Sequence, residues 1–502
     1  MYEKIILTEE QKNHVDKIES IFNSNNFAFD LSMLGTGKTY TTSYLSKNFD
    51  LIIVLAPKSV IPKWNYMKDK YNIKIHNSIT YQTLRGSKGN KLSHNLLERI
   101  DYVENNTNKV KYNITEFYKT LLENNKILLV IDEIQNIKNH GSQLLSVSTL
   151  TNIIINNNKN SSKVIFLSGS PIDKVEHSIN IFISIGYINY DTKIFNDYKS
   201  GNFNGYNQIY NKLLFIMPNR YKFIYSPEET ININKAVSNI YDMFQKIIKK
   251  KFSHSMRPII YNDDIKLLKF NGLFSMDFDI ESKNKLYNEI QSLKSTLRFS
   301  DNSINLKNDN IMEISKILKN IENSKIPLFE NLSTKLLQNF KNIKLVLCLN
   351  YTSSLEILCK LLKDFNPLVL CGKMSLVQRE KVISSFQSNN YDYRLLICNL
   401  SVASTGIDLD DKFGDFPRIC LASPMYNTIT LYQLGHRFQR LDTKSSTKVI
   451  MVYEKDHKEV SILNCLAQKG NIMKETCNEQ VLSGILFPCD YKYITEKELF
   501  DI

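Results

Sequence analysis

Cysteine is absent until Cys348, and none of the eight cysteines that follow forms a C-x-x-C pair. That spacing excludes a zinc ribbon and a disulfide framework. Several cysteines sit inside apolar runs, "LVLCL" and "LLICNL", and read as buried free thiols of an intracellular, reducing compartment. The eight histidines are scattered with no metal-spaced pair, so no metal module is expected. Tryptophan occurs once and glycine only sixteen times. No apolar stretch approaches the roughly 20 residues of a membrane helix, so no membrane partner is expected. The N-terminal "MYEKIILTEEQ" has charges on both sides of a very short apolar run and does not read as a signal peptide.

What is present is a chain of 502 residues, long enough for two or three domains with real cores. Hydrophobic residues make up 42% and charged residues 23%, the balance of a soluble globular protein. The net charge of +13 points first to a nucleic-acid partner, because Lys and Arg displace the counterions condensed on phosphate. A generally basic proteome would give the same excess. Asn, Ile and Lys are abundant, as an AT-rich coding sequence would make them.

Short apolar runs alternate with helix-like stretches in two regions. The first holds "FAFDL", "LIIVLAP", "ILLVIDE" and "VIFLSGS"; the second holds "LVLCLN", "PLVLCG", "RLLICN", "RICLAS" and "KVIMVY". Runs this short, rich in branched residues and bounded by turn residues, predict parallel strands buried on both faces, with helical crossovers. An α/β fold of two lobes follows. The spans are 1–195 for the first lobe, 196–335 for a mostly helical connection and 336–502 for the second lobe. Within the connection, "IYDMFQKIIKKKF" and "ESKNKLYNEIQSLKSTL" carry helical periodicity. "RGSKGNKLSHN" and "NNTNKVKYN" read as exposed loops of the first lobe.

"DLSMLGTGKTY" lies between an apolar run and a helical segment. Gly35 and Gly37 let the backbone curl so that the N–H groups of Met33 to Thr39 (Met33, Leu34, Gly35, Thr36, Gly37, Lys38, Thr39) can face an anion. Lys38 would reach the terminal phosphates and Thr39 would place its hydroxyl on Mg²⁺. The usual pattern has a Gly where this chain has Ser32. Further on, "LLVIDEIQNIKN" ends an apolar strand on two carboxylates. Asp132 suits a Mg²⁺ contact through water, and Glu133 suits polarising an attacking water. An acidic pair opening a helix would look the same. In this order, on separate strands of one lobe, the two motifs predict a nucleotide hydrolase with ATP and Mg²⁺.

With these residues in place, the chain resembles the superfamily 2 helicases, and among them the Swi/Snf-like translocases and helicase-like ATPases of large DNA viruses. The resemblance runs over nearly the whole chain. Gln11 in "LTEEQKNHV" matches a position that often contacts adenine. "LAPKSVIPKW", with Pro57 and Lys58, and "SITYQTL", with Thr80, are similar to motifs that touch the nucleic-acid backbone. "DEIQNIKNHGSQ" is similar to D-E-x-H with Gln135 in place of His. "LSGSPID", with Ser168, Gly169 and Ser170, is similar to the motif that couples hydrolysis to lobe movement. "MRPIIYNDDI" and "SKNKLYNEI" echo the inter-lobe segment.

The second lobe matches in "KLVLCLNYTSSLEILCKLL" and in Gly372, Arg379 and Phe386 of "LCGKMSLVQREKVISSFQ". "NLSVASTGIDLDD" is similar to the motif in which Ser404, Thr405 and Gly406 border the backbone path and the ATP cleft. In "YQLGHRFQRLD", Gln433, Arg437 and Arg440 fall at the offsets of Q-x-x-G-R-x-x-R, with Gly435 one residue early and His436 in the Gly position. Three residues apart, the two arginines are expected on one helix face.

The resemblance implies ATP held between tandem RecA-like lobes. Lys38, Asp132 and Glu133 would come from the first, and Arg437 and Arg440, acting on the γ-phosphoryl, from the second. Lys58, Lys63 and the cluster Lys246, Lys249, Lys250 and Lys251 are candidates for the nucleic-acid path, although the cluster also reads as a solvated helix face. Trp64 could stack on a base or pack in the core. DNA is the first partner and RNA the alternative, with transcription or replication proteins beside it. A viral source would place the protein at a cytoplasmic replication site or in the virion, the nucleus being a further location. A silent nucleic-acid-binding scaffold is the competing reading from another class.

Overall fold

A computed structural model describes residues 2–90, 92–157, 161–190, 233–256, 272–275, 308–438, 440, 443–454, 458–476 and 488–501. The chain divides into two compact units, Met1–Pro258 with Ile472–Leu482, and Ile259–Asn471 with Ser483–Ile502.

In the first unit, helix α1 (Glu9–Ser24) is followed by β1 (Phe27–Asp30), α2 (Lys38–Leu45), β2 (Leu51–Ala56), α3 (Ile61–Tyr71), β3 (Ile75–Thr80) and α4 (Tyr81–Arg85). An antiparallel ribbon of β4 (Leu97–Glu104) and β5 (Thr107–Ile114) comes next. Then follow α5 (Glu116–Asn124), β6 (Ile127–Asp132), α6 (Ser142–Ile155), β7 (Lys163–Leu167) and α7 (His177–Ser184), and later β8 (Ser253–His254). The main sheet has the order β3-β2-β6-β7-β1-β8 and every pairing in it is parallel. Alternate residues of one strand serve opposite faces. Ile127, Leu129 and Ile131 of β6 join one apolar cluster, while Leu128 and Val130 join the other. Both faces must therefore be apolar, which is why these strands read as continuous hydrophobic runs.

The second unit is built the same way. Its sheet runs in the order β11 (Leu368–Leu370), β12 (Leu395–Asn399), β10 (Lys344–Leu349), β13 (Arg418–Ala422), β14 (Thr447–Tyr453), β9 (Gly272–Ser275) and β15 (Lys492–Tyr493), again all parallel. Val346 and Cys348 of β10 face one cluster, and Leu345, Leu347 and Leu349 face the other. The helix Ile326–Asn339 covers the latter with Phe329, Leu332 and Leu336.

The nine apolar runs coincide with β1, β2, β6, β7, β10, β11, β12, β13 and β14. One expectation needs correcting. "NNTNKVKYN" is not a loop: Asn105 (φ 50°) and Asn106 (φ 57°) make a tight left-handed turn, and the residues after them are β5. The described residues of the connection include the helix Ile233–Met243, continued by a π-turn at Phe244–Ile248, and the short strands β8 and β9. "ESKNKLYNEIQSLKSTL", "SKNKLYNEI" and all but the first residue of "MRPIIYNDDI" lie outside the described residues.

Candidate functional site

The strands β6, β7 and β1 are neighbours in a parallel sheet, so the segments leaving their C-terminal ends converge. Those segments are the acidic pair, "SGSP" and the glycine loop.

Within the loop, Gly35 (φ 84°) and Gly37 (φ 93°) hold left-handed backbone that a side chain resists. Gly37 caps α2 without a side-chain hydrogen bond, so no side chain competes for the N–H groups at the head of the helix. A Cβ on Gly37 would lie 2.5 Å from Gln11 Nε2, so a side chain there would displace the Gln11 amide. Gln11 itself braces the loop. Its Nε2 donates to Thr36 O at 3.0 Å, while its Oε1 accepts from Thr8 N in a capping box at the start of α1. Lys38 Nζ donates to Ser32 O at 2.8 Å and Met33 O at 3.0 Å, which bends its ammonium back over the loop. Met33 O also accepts from Thr36 Oγ1 at 2.9 Å, and Thr39 is buried. Leu34 is half-buried, and its backbone lies against Gly169.

Ser32 has a reason of its own. Its N–H donates to Asp30 Oδ1 at 3.0 Å, and its Oγ accepts from Met256 N at 2.8 Å. The hydroxyl thus ties the loop to the chain after β8, a bond that glycine could not make. Asp30 in turn lies 3.1 Å from His14 Nε2, and His14 Nδ1 is 2.7 Å from His254 Nδ1. These groups fix the base of the loop from α1 and β8.

Asp132 ends β6 with a buried carboxylate. Trp64 Nε1 donates to its Oδ2 at 2.8 Å, and Tyr81 Oη donates to its backbone oxygen at 2.7 Å. Trp64 is fully buried, so it packs and orients Asp132 and presents no ring to a base. Burial first, and the Glu133 carboxylate beside it second, push the Asp132 pKa up; the Trp64 hydrogen bond, Lys38 and Lys63 act the other way. Two adjacent acids held so are relieved by a cation, which fits Mg²⁺. Among the described residues no three His, Cys, Asp or Glu side chains are grouped to hold a metal alone. Mg²⁺ here would accordingly need phosphate and water ligands as well.

Glu133 adopts φ 58°, a backbone conformation that costs a bulky residue on the order of 1–3 kcal/mol. Its Oε2 accepts from Gln135 Nε2 at 2.5 Å, and Gln135 Oε1 accepts from Ser168 Oγ at 2.7 Å. Ser170 N donates to Ser168 Oγ at 3.0 Å, and Ser168 N to Asp30 O at 3.1 Å. One chain of hydrogen bonds therefore joins the acidic pair to "SGS". The contact to the glycine loop is tight, because a Cβ on Gly169 would sit 3.2 Å from both Leu34 N and Ser32 O. Beyond it, buried Asp173 holds Lys138 Nζ at 2.9 Å and His177 Nδ1 at 2.9 Å. Sequence reasoning did not reach Trp64 as the partner of Asp132, nor Tyr81 or Asp173. The only sequence signal was the lone tryptophan eight residues after β2.

Residues expected on the nucleic-acid path lie at two other strand ends of the same sheet. Pro57 follows β2 and its carbonyl accepts from Val60 N and Ile61 N, while Lys58 is exposed. Thr80 ends β3 and caps α4 by accepting from Thr83 N at 3.0 Å.

The second unit gathers its own set. The helix Thr428–Gly435 buries Gln433 and ends with His436 at its C-cap. Arg437 and Arg440 are therefore not on a helix face, contrary to the expectation. Arg437 N donates to Leu434 O at 2.9 Å and Phe438 N to Gly435 O at 3.4 Å, a tightening turn that leaves the helix. The turn brings both arginines to the Ser404–Asp408 segment. Arg437 Nε donates to Ser404 O at 2.8 Å, and Arg440 Nε to Asp408 Oδ1 at 2.5 Å. Thr405 Oγ1 donates to Ser401 O at 3.3 Å, and Gly406 takes φ 69°. His436 has ordinary right-handed backbone and sets its ring edge-on to Tyr432, 4.6 Å between centroids. Glycine is not required by the backbone at that position, and the histidine fills a packing role.

Two parallel sheets, each covered by helices on both faces, with a glycine loop and acidic pair in the first and clustered arginines in the second, are tandem RecA-like lobes. Residues 328–442 match the family described as Helicase conserved C-terminal domain. Through this match the chain is similar to the helicase-type ATPases of superfamily 2. It is 24% identical, over 89% of its length and 80% of the relative's, to a protein of Acanthamoeba polyphaga mimivirus described as "Putative ATP-dependent RNA helicase". A solved structure, the Sulfolobus solfataricus SWI2/SNF2 ATPase core in complex with dsDNA, aligns over 97% of this chain and 98% of its own. That alignment has 14% identity and a TM-score of 0.32, too slight a likeness to carry a conclusion.

Proposed function

We propose that the chain is an ATP-driven translocase of the Swi/Snf-like kind, moving along nucleic acid with DNA as its first track. The observation that carries this reading is the convergence of Lys38, Asp132, Glu133 and Ser168 on three neighbouring strand ends. In it the loop N–H groups and Lys38 bind the phosphates. Gln11 braces the loop beside the base of the nucleotide. Thr39 and Asp132 hold Mg²⁺, which when bound neutralises charge on the phosphate oxygens. Glu133, positioned by Gln135, accepts a proton from the attacking water. Arg437 and Arg440 donate to the transferred phosphoryl from the second unit. Gln135 and Ser168 relay the state of the acidic pair to Gly169 and Ser170, with Thr405, Gly406 and Gln433 as the corresponding coupling residues of the second unit. Pro57, Lys58, Thr80 and Ser404 contact the strand.

RNA as the track is the second reading, favoured by the description of the mimivirus relative. The reading places the chain beside transcription or replication proteins in a reducing compartment, the compartment being supported by Cys348, Cys359, Cys371, Cys398, Cys420 and Cys465, none of them in a disulfide. Among the described residues no helix is long and apolar enough to cross a membrane. The test is ATP turnover measured with duplex DNA, single-stranded DNA and RNA, then strand displacement on whichever stimulates best. Turnover that no polynucleotide raises would sink the translocase reading.

A further inference from the structure

The β4–β5 ribbon belongs to neither large sheet. A two-stranded ribbon is marginal by itself, so one face must be held. Leu97 and Tyr112 bury that face in the core of the first unit. Arg99 Nη1 donates to Arg85 O at 3.1 Å and Gly86 O at 2.8 Å, and Tyr112 Oη donates to Arg85 O at 2.7 Å. Lys88 Nζ, on the loop after α4, reaches Asn108 Oδ1 at 3.1 Å. The ribbon is thus fastened to the end of α4, the short helix that Thr80 caps.

The other face is open, and its composition is unusual for solvent. Ile100 lies opposite Lys111 and Tyr102 opposite Lys109, with Ile100 37% and Tyr102 42% exposed. Lys111 is exposed, and Lys109 also pairs with Glu104 at the ribbon's end. Apolar side chains set out on a ribbon contribute nothing to the core, and such patches mark contact surfaces. An aromatic ring flanked by lysines suits bases stacked above a phosphate backbone.

We propose that the open face of the ribbon is a nucleic-acid contact that continues the path beyond Thr80, with Tyr102 stacking on a base and Lys109 and Lys111 facing phosphates. This rests on the nucleic-acid reading above. The test is binding of a labelled single-stranded oligonucleotide to the full chain, by fluorescence anisotropy at several salt concentrations. Tyr102→Ala should weaken binding by about 5- to 100-fold, and Tyr102→Trp should restore it. Lys111→Glu should weaken binding and flatten its salt dependence. The thermal midpoint, which exposed side chains leave in place, reports on folding of each variant. If the wild type binds the oligonucleotide and Tyr102→Ala and Lys111→Glu bind it equally well, the ribbon proposal falls alone and the face belongs to a protein contact. If the wild type binds no polynucleotide, the translocase reading falls first and takes the ribbon with it.

Discussion

The two units hold their functional charges in opposite ways. In the first, Asp132 and Glu133 stand side by side at the end of a buried strand, where burial first and the neighbouring Glu133 second push the Asp132 pKa up. In the second, Arg437 and Arg440 already donate to Ser404 O and Asp408. Like charges kept together wait for an opposite charge from outside. Paired charges hold a loop in place and must exchange partners to act elsewhere. The first unit therefore holds charge that a bound cation would relieve, and the second holds charge that is already paired.

The sharpest break of that contrast is Glu133→Gln. It should leave ATP binding within a few-fold and lower turnover about 10²–10⁴-fold, as expected for loss of a general base. Single-turnover chemistry and nucleotide titration read the two separately, and turnover close to wild type would remove Glu133 from the mechanism. Next in size is Asp173→Ala, which strips Lys138 and His177 of a buried acid; losing one side of such a cluster costs roughly 3–5 kcal/mol. Urea unfolding measures it, and a loss of under about 1 kcal/mol would show that Lys138 and His177 find other partners.

On the other side of the contrast, Arg440→Ala should still bind ATP and hydrolyse it at least ~10²-fold more slowly. Asp408→Asn separates holding from acting. It frees Arg440 from its pair, so turnover should change while nucleotide affinity stays with the first unit. If Arg440→Ala turns over normally, the arginine only anchors the Ser404–Asp408 loop. A smaller effect is expected from Trp64→Phe. The Trp64 hydrogen bond lowers the Asp132 pKa, so its loss should move the acid limb of the pH–turnover curve to higher pH. An unmoved limb would mean that Asp132 does not set it.

Most of the sheet was legible because strands buried on both faces must be apolar along most of their length, as β2 is throughout and β6, β10 and β14 are but for polar residues at one end. The ribbon was not, because β5 has only one buried face and reads "TNKVKYNI", a polar string. Its real signal was the Asn105–Asn106 pair, which suits a left-handed turn. The candidate site divides the same way. Glycines and acids announce themselves by residue type, whereas Trp64 reaches Asp132 and Ser168 reaches Gln135 only through the packing of the sheet. The two arginines were expected on one helix face and lie on a turn, since the helix ends at His436.

The last contrast concerns acid. His254 is pushed down to about 4 by burial and by His14 beside it, and His140 to about 4 by burial against Tyr190. Both belong to the first unit. An unfolded histidine binds its proton near the ordinary 6.5, so between about 4 and 6.5 the unfolded chain holds more protons than the folded one. Stability from these groups is complete above about 6.5 and is lost as pH falls toward 4. The carboxylates of Asp30 and Asp173 are held below their ordinary 3.8 and so lose their contribution only at lower pH, outside this window. Hydrogen exchange resolved by peptide should show β1 and β8 loosening between pH 6.5 and 4.5. His254→Asn should blunt that loosening by removing the group that gains the proton. Equal protection of these strands at both pH values would show that the His14–His254 contact opens to solvent without disturbing the sheet, and the loop's base would then be held by Ser32 and Met256 alone.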